Sequence, residues 1–277
     1  MIKLLANMAM GIILLFFIGG CDNETGFDTD SNNRSNKNCT ESSEIWHLGK
    51  LYCPVTSPYT GRVWLDRNLG ASKVCDKSRK KFANETAYTD DQQNCFGDYY
   101  QWGRNTDGHE KKESATTAEQ AGNVTEVGHG KFITSGRDRD YDWAQTADPN
   151  GQKRTINWND IRGNSICPAG YRVATLDEFR AELFDEDSYE IQKNSSEKEG
   201  NNDDRRVNAY NTFLRLPAAG YRSIYGGLPG DQGFFGDLWT VSADGAYATS
   251  IGFSENSAGW YNRGNRADGM PVRCLKD

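Results

Sequence analysis

The sequence predicts an α+β domain of short antiparallel strands, two short helices and long loops, stabilised by disulfides. First, the 277 residues include 29 Gly with 7 Trp, 13 Tyr and 12 Phe, a mixture that favours turns around aromatic-packed strands over a helical bundle. Second, apolar and polar residues alternate over several short segments, whereas helical periodicity is brief. Third, the chain has seven Cys, and disulfides are expected if it is exported.

A single folded domain is expected over residues 45–277, because no internal repeat and no second core is visible in the sequence. Lys and Arg total 32 against 39 Asp and Glu, which gives a net charge of -7. Such a chain has no overall attraction to nucleic acid or to an anionic membrane face. Its mean hydropathy of -0.79 is polar, but the 12% aromatic content argues against wholesale disorder.

Residues 1–20 are predicted to be a lipoprotein signal peptide. Lys3 provides the positive start, and residues 8–18 form an apolar run that is too short for a membrane span. The sequence Ile-Gly-Gly that precedes Cys21 resembles a bacterial lipobox, which makes Cys21 the predicted lipidation site. The alternative is an ordinary secretory signal with a chance Cys. Lipidation would anchor the protein in the cell envelope, at the outer membrane or cell surface, although Asp22 leaves the inner membrane open.

Residues 21–44 are predicted to be the lipidated Cys followed by a flexible tether. Residues 22–38 contain one aromatic and no aliphatic residue, so they cannot bury enough surface to offset the entropy of ordering.

The other six cysteines are predicted to form three disulfides. Local pairing, Cys39–Cys53 and Cys75–Cys95, is the simplest arrangement and leaves Cys167–Cys274, although other connectivities remain open. No metal site is predicted, since neither CxxC nor Cys-His spacing occurs. A structural calcium ion near Asp138 and Asp140 is considered, but the interleaved arginines favour a solvated loop.

Secondary structure is predicted in chain order. Val63 and Leu65 alternate with polar residues in a strand, residues 96–104 are expected to form a short aromatic helix, and residues 105–165 are expected to be loop. A second helix begins at the capping-box pair Thr175 and Glu178. After a solvated loop, four strands are expected at 212–216, 238–242, 247–253 and 271–275.

Recognisable catalytic motifs are absent from the sequence, which lacks GxSxG, HExxH, P-loop and GxGxxG patterns. The three histidines, His47, His109 and His129, are expected in surface or loop positions. No catalytic residue is therefore predicted.

Residues 254–268, SENSAGWYNRGNRAD, have the composition of an adaptable binding loop. Flat aromatic side chains provide contact area, and short polar groups provide hydrogen bonds. Trp260 suits either stacking on a sugar ring or a place in the core, and both interpretations remain open.

Five ordered segments resemble the Fibrobacter-type major paralogous domain of bacterial lipoproteins. They are YTGRVWLDRNLGA at 59–71, CFGDYYQWGR at 95–104, CPAGYR at 167–172, LRLPAAGYR at 214–222 and GMPVRCLK at 269–276. The resemblance covers roughly residues 45–277 and implies a C-type-lectin-like fold, in the branch shared with formylglycine-generating enzymes. In that fold the two chain ends pair and a long-range disulfide often pins the last strand, which agrees with Cys167–Cys274.

The same branch includes the variable proteins of diversity-generating retroelements, whose hypervariable residues lie near the C-terminus. Residues 237–270 resemble that segment in placement and composition, although adenine-directed mutagenesis of AAC codons cannot produce Glu255 or Trp260. The resemblance therefore implies a surface-displayed protein that binds an extracellular glycan or protein. The predicted ligand-contacting residues are Asp237, Trp239, Tyr247, Glu255, Asn256, Trp260, Tyr261, Asn262, Arg263 and Asn265.

Two alternatives are retained. One is an enzyme of the formylglycine-generating or sulfoxide-synthase type. The first of these needs a pair of reactive Cys near the C-terminus and the second a His-rich iron site. Here Cys274 is the only Cys after Cys167, and no His follows His129, so both sets of groups look absent. The other alternative is a structural envelope lipoprotein with no soluble ligand.

Overall fold

A computed structural model describes residues 39, 43–136, 140–145, 148–184, 191 and 204–277. The predicted signal peptide, Cys21, Asp138 and almost all of the tether lie outside the described residues. The described part is a mixed α/β structure with mostly antiparallel sheets, four short helices and three disulfides. None of its helices is both long and apolar enough to cross a membrane.

The helices are α1 Glu85–Gln92, α2 Gln152–Trp158, α3 Leu176–Leu183 and α4 Arg205–Asn211. The first strands are β1 Ile45–His47, β2 Lys50–Tyr52, β3 Pro54–Thr56, β4 Val63–Leu65, β5 Tyr100–Gln101, β6 Thr116–Thr117, β7 Phe132–Ile133 and β8 Tyr171–Val173. The remaining strands are β9 Tyr221–Arg222, β10 Pro229–Gly230, β11 Gly236–Asp244, β12 Tyr247–Phe253, β13 Ala258–Gly264, β14 Gly269–Met270 and β15 Cys274–Lys276.

The last strand, β15, lies in one sheet with two strands from the N-terminal part of the described chain, in the strand order β3-β4-β15-β8, whereas β1 and β2 form a separate pair. In this sheet Leu275 of the last strand pairs with Trp64 on one side and with Arg172 on the other. The Cys167–Cys274 bridge joins the start of β15 to the chain just before β8, with a Cα separation of 5.9 Å. The C-terminal strand is therefore paired with β4, a strand from the N-terminal part of the described chain.

The other two bridges join Cys39 to Cys53 and Cys75 to Cys95, so the structure forms the three expected pairs. The second of these local bridges holds the segment before α1 against the short 3₁₀ turn that follows it.

A second sheet, β11-β12-β13, is an antiparallel meander that occupies much of the C-terminal region. Asp244 pairs with Tyr247, so β11 and β12 are joined through Gly245 and Ala246. Gly245 has φ +57°, a left-handed conformation that a tight hairpin turn requires and that Gly adopts without steric cost. The strand predicted at 247–253 coincides with β12.

The helix predicted after Thr175 is confirmed as α3. The Thr175 hydroxyl accepts a hydrogen bond from the Glu178 N–H, and the Glu178 carboxylate accepts one from the Thr175 N–H, so both halves of the capping box form. Phe179 and Leu183 are fully buried and pack in a cluster that includes Trp64 and Ile251. This cluster lies under one face of the C-terminal meander.

Several element predictions are wrong. Residues 96–104 form β5 and turns instead of a helix, because Gly97 and Gly103 adopt positive φ and the aromatic side chains between them are buried in the core. The expected loop at 105–165 contains α2 and two short strands, and the expected solvated loop at 192–206 overlaps the first two residues of α4. Four helices form in the described residues where two were expected.

Two strand predictions near the C-terminus also need correction. Residues 212–216 form no strand, because the chain turns there after α4. The last strand begins at Cys274, three residues later than expected, because pairing with β8 starts at that residue. Residues 258–264, expected within a loop, form β13, since pairing with β12 satisfies their backbone groups.

Candidate ligand-binding surface

One face of the meander packs into the protein and carries Trp260. Leu238, Ile251 and Trp260 are aligned across the three strands and belong to the same apolar cluster as α3. The Trp260 ring lies 5.6 Å from the Phe184 ring in an edge-to-face arrangement, and the Arg180 guanidinium lies 4.3 Å from its centroid. Trp260 therefore fixes β13 to the end of α3, and it is not a free platform for a sugar.

Trp239 is a core residue, so the candidate surface omits it. Its side chain is 0% exposed and its Nε1 donates a 2.8 Å hydrogen bond to the Tyr100 carbonyl. The register places Trp239, Ser250 and Tyr261 side by side across the meander, so the same row of residues runs from the core to the exposed edge strand.

Tyr261 is the most exposed aromatic residue of the meander, at 52%. Its ring lies across Gly252 of the neighbouring strand, because a Cβ at Gly252 would be only 2.6 Å from Tyr261 Cε2. The same Cβ would be 2.8 Å from Asp237 Oδ1, so the absent side chain at Gly252 lets the tyrosine ring and the carboxylate sit side by side. Burial and the nearby Asp237 charge raise the pKa of Tyr261, which keeps its hydroxyl protonated.

Three further exposed residues flank Tyr261. Asn262 and Arg263 follow it on β13, which pairs only with β12 among the described residues. The Arg263 guanidinium lies 5.8 Å from the ring centroid of Tyr247, which is 37% exposed. We refer to Asp237, Tyr247, Tyr261, Asn262 and Arg263 as the C-terminal surface.

The β12–β13 loop borders this sheet and carries Glu255 and Asn256, both of which are exposed. The loop is braced from α4, since the Arg205 N–H donates to the Glu255 carbonyl at 3.1 Å and Arg206 lies 3.3 Å from the Glu255 carboxylate. The loop therefore has a defined position beside the meander, and its exposed side chains are accessible from solvent.

An acidic group lies beside Tyr261. Burial, with smaller contributions from the charges of Asp268 and Asp231, raises the pKa of Asp237 to about 7. Within the described residues no hydrogen-bond donor reaches the Asp237 carboxylate. Asp237 is half-buried, so its carboxylate can still accept hydrogen bonds from water or from a ligand.

Asp268, a neighbour of Asp237, has hydrogen-bond donors within the protein. Its carboxylate accepts hydrogen bonds from the Ile224 N–H at 3.0 Å and from the Asn265 amide at 3.3 Å. Burial nevertheless raises the pKa of Asp268 to about 6. Asn265, predicted as a ligand contact, thus has a structural partner in Asp268.

Sequence reasoning missed Asp268, Asp231 and Tyr221 as parts of this environment. Burial raises the pKa of Tyr221, and the charges of Asp231, Asp268 and Asp237 raise it further, so the four side chains share one region. No local sequence signal joins them, because they come from separate segments that the fold brings together.

The three histidines do not form a catalytic or metal centre with the C-terminal surface. His47 is half-buried, with Nε2 at 2.6 Å from the Ile166 carbonyl. His109 is fully buried, contrary to the expected loop position, because its Nε2 accepts the Gln101 N–H and thereby joins the core. Burial lowers the pKa of His109 to about 4, so its ring is neutral.

Asp107, His109 and Glu110 form the only group of potential metal ligands within reach of one another among the described residues. Their atoms are already engaged, however. The His109 Nδ1 lies 2.7 Å from the Asp107 carboxylate, and the Glu110 carboxylate accepts the Gly108 N–H at 2.9 Å. Since both ring nitrogens of His109 have protein partners, we assign this cluster a structural role.

All six cysteines of the folded part are joined in disulfides, Cys274 included. A disulfide sulfur is neither a thiolate nucleophile nor a thiolate metal ligand.

No protein-family model, no curated protein and no solved structure matches this chain.

Proposed function

We propose that the protein is a lipid-anchored, surface-displayed bacterial protein that binds an extracellular ligand through the C-terminal surface. The observation that carries this proposal is the placement of Tyr261. Its exposed ring lies across Gly252 beside the carboxylate of Asp237, which has no hydrogen-bond donor among the described residues. An exposed aromatic ring next to a half-buried carboxylate offers a ligand both a flat apolar face and hydrogen-bond acceptors.

The rigidity of the meander supports this proposal. Two contacts fix the edge strand β13. Its backbone pairs with β12, and its Trp260 side chain packs against the end of α3. A ligand would then meet side chains that are already ordered, so little conformational entropy would be lost on binding. Tyr, Asn and Arg are also residue types that make adaptable contacts in natural binding surfaces.

The chemistry of the surface favours a hydroxyl-rich ligand, and we propose a glycan as the first class to test. The face of Tyr261 can cover the apolar face of a sugar ring, and the Asp237 carboxylate can accept hydrogen bonds from sugar hydroxyls. A protein ligand is the alternative, with Tyr247 and Tyr261 as aromatic anchors.

We further propose that the fold is C-type-lectin-like, as in the domain family that the sequence motifs resemble. The pairing of β15 with β4, the Cys167–Cys274 bridge and the late antiparallel meander support this assignment. If residues 237–270 are diversified, the exposed positions of β12, β13 and their connecting loop are where variation would alter binding without disturbing the core.

The enzyme alternative has less support. A formylglycine-generating reaction needs reactive thiols, and Cys167 and Cys274 are bonded to each other. Counting free thiols in the native full chain distinguishes the two proposals. A binder whose six folded cysteines are all bridged gives no reactive thiol from them, whereas two reactive thiols would favour the enzyme.

The proposed function is tested by presenting the full chain, purified in detergent, to a glycan array and to a panel of purified extracellular proteins. Saturable binding to a glycan is the expected result. Binding only to proteins would replace the glycan by a protein ligand. Absence of binding on both panels, together with burial of residues 254–268 in a stable envelope complex, would instead support a structural lipoprotein.

A further inference from the structure

The β1–β2 hairpin presents an apolar outer side to solvent. Trp46 is 67% exposed, and Leu48 at the tip is 48% exposed. Leu51 pairs with Trp46 across the two strands, so the two side chains share a face, and Leu51 is partly exposed. The outer side of a surface hairpin is normally polar, because only its inner side faces the core. This hairpin therefore exposes residue types that a strand usually buries.

The inner side of the hairpin is fixed to the rest of the protein. Ile45 packs against the largest apolar cluster of the core. The His47 Nε2 lies 2.6 Å from the Ile166 carbonyl. Because successive side chains of a strand point to opposite faces, these two contacts hold Trp46 on the outer side.

The tip of the hairpin is a strained two-residue turn. His47 pairs with Lys50, so Leu48 and Gly49 alone join the strands, with φ of +49° and +70°. Turns of this shape favour Asn or Asp at the first position, because the left-handed conformation is costly for a bulky side chain. A strained and exposed Leu is the kind of outlier that is enriched at functional positions.

The hairpin is the first pair of strands after the predicted tether. Cys39 follows the predicted lipidation site, Cys21, by 18 residues, and it is bridged to Cys53 directly after β2. Even a fully extended chain of that length spans only about 65 Å. A lipid at Cys21 would therefore keep the base of the hairpin within reach of the bilayer. Contact between the hairpin and that bilayer would be intramolecular, so a weak contact would suffice.

We propose that Trp46 and Leu48 enter the interface of the phospholipid bilayer that holds the lipid anchor. This proposal rests on the proposed lipidation of Cys21. Tryptophan favours the region between the hydrocarbon and the headgroups, because its ring is apolar and its indole N–H is a hydrogen-bond donor. The contact is apolar, since a chain of net charge -7 has no overall attraction to anionic headgroups. Docking of the hairpin would fix the orientation of the domain on the membrane.

The test is quenching of tryptophan fluorescence by brominated phospholipids, with the full lipidated chain reconstituted in phosphatidylcholine vesicles. Five of the seven tryptophans are fully buried, and Trp260 is packed against Phe184, so Trp46 is the one most accessible to a lipid. The emission that is lost on replacing Trp46 by Phe is the signal of Trp46. This signal should be present in ordinary vesicles and largely lost in brominated ones, and Trp46→Phe should show little quenching.

Leu48→Asp tests the tip while Trp46 still emits. It should abolish the quenching, because a carboxylate is costly to bring into the bilayer. Asp suits this turn position, so the variant is expected to fold, and its unfolding in urea is measured to show this. Leu228→Asp is the matched control, since Leu228 is an apolar residue that is 70% exposed in the β9–β10 hairpin, and it should leave the quenching unchanged.

Mass spectrometry of the chain and its flotation with vesicles separate this proposal from the anchor on which it rests. A lipid on Cys21 and flotation without quenching of Trp46 would overturn the hairpin contact and leave the anchor intact. Equal effects of Leu48→Asp and Leu228→Asp on the quenching would also overturn it. Absence of a lipid on Cys21 would overturn both the anchor and the hairpin contact.

Discussion

Replacing Asp237 by Asn should make the protein more stable above pH 7, even though the residue lies in the proposed ligand surface. In the folded protein burial raises the pKa of Asp237 from 3.8 to about 7. The folded state thus disfavours the carboxylate relative to the unfolded chain. Asn keeps the shape of the side chain but carries no charge, so the substitution removes this penalty.

The magnitude follows from the two pKa values. A folded-state pKa of about 7 against 3.8 corresponds to about 4 kcal/mol if it is fully realised. Because Asp237 is partly exposed on β11, solvent reduces the penalty, and we expect Asp237→Asn to gain about 2 kcal/mol at pH 8. For an acid with a raised pKa, the stability contribution is lost as the pH rises from about 4 to about 7 and is constant above that.

The assay is urea unfolding of the wild type and the variant at pH 3, below the unfolded-state pKa of 3.8, and at pH 8, followed by tryptophan fluorescence. The two midpoints should nearly coincide at the lower pH, and the variant should be higher by about 0.5–1 M at pH 8. Asp244→Asn, an exposed position on the same strand, is the control and should change stability little. A variant that is no more stable than the wild type at pH 8 would refute the reasoning.

Three other predictions concern the C-terminal region and its support. Trp260→Ala should lower the free energy of unfolding by about 2 kcal/mol, because the ring packs against the end of α3, and urea unfolding would show an unchanged midpoint if the ring were instead a free platform. Replacing Cys167 and Cys274 together by Ala should lower the free energy of unfolding by about 4–5 kcal/mol, since the bridge spans 107 residues. Calorimetric melting should show a larger loss of stability than the same double replacement of Cys75 and Cys95, whose separation is 20. If the gene is diversified, deep sequencing of one population should find substitutions at exposed positions of 237–270, and an even spread over buried positions would count against diversification.

Local signals in the sequence were sufficient for some elements. The capping box of Thr175 and Glu178 fixes the start of α3, and the alternation over residues 247–253 matches β12, because both patterns are complete within a few neighbouring residues. Helix α1 lacked such a signal, because ETAYTDDQ has no continuous apolar face and depends on its Asn84 cap and on packing of Tyr88.

Only part of the candidate surface could be predicted from the sequence. Residues Tyr261, Asn262 and Arg263 were identified by composition, but β13 was not, because its Gly and Asn residues have low strand propensity and only pairing with β12 orders them. The roles of Trp239 and Trp260 depended on which face of the meander each residue occupies. Asp268 lies 31 residues after Asp237 in the chain, and Asp231 precedes it across the turn before β11, so only the tertiary structure shows that these acids are neighbours of Asp237.

Ligand affinity of the Tyr261→Ala variant is the most direct test of the proposed binding surface. The best ligand from the glycan and protein panels is titrated against the wild type, Tyr261→Ala and Trp46→Ala, the last being a control at a 67%-exposed aromatic residue of β1. Tyr261→Ala should weaken binding at least about tenfold with an unchanged near-ultraviolet circular dichroism spectrum, whereas Trp46→Ala should stay within about twofold. Wild-type affinity in Tyr261→Ala, or the same loss in both variants, would contradict the assignment of ligand binding to the C-terminal surface.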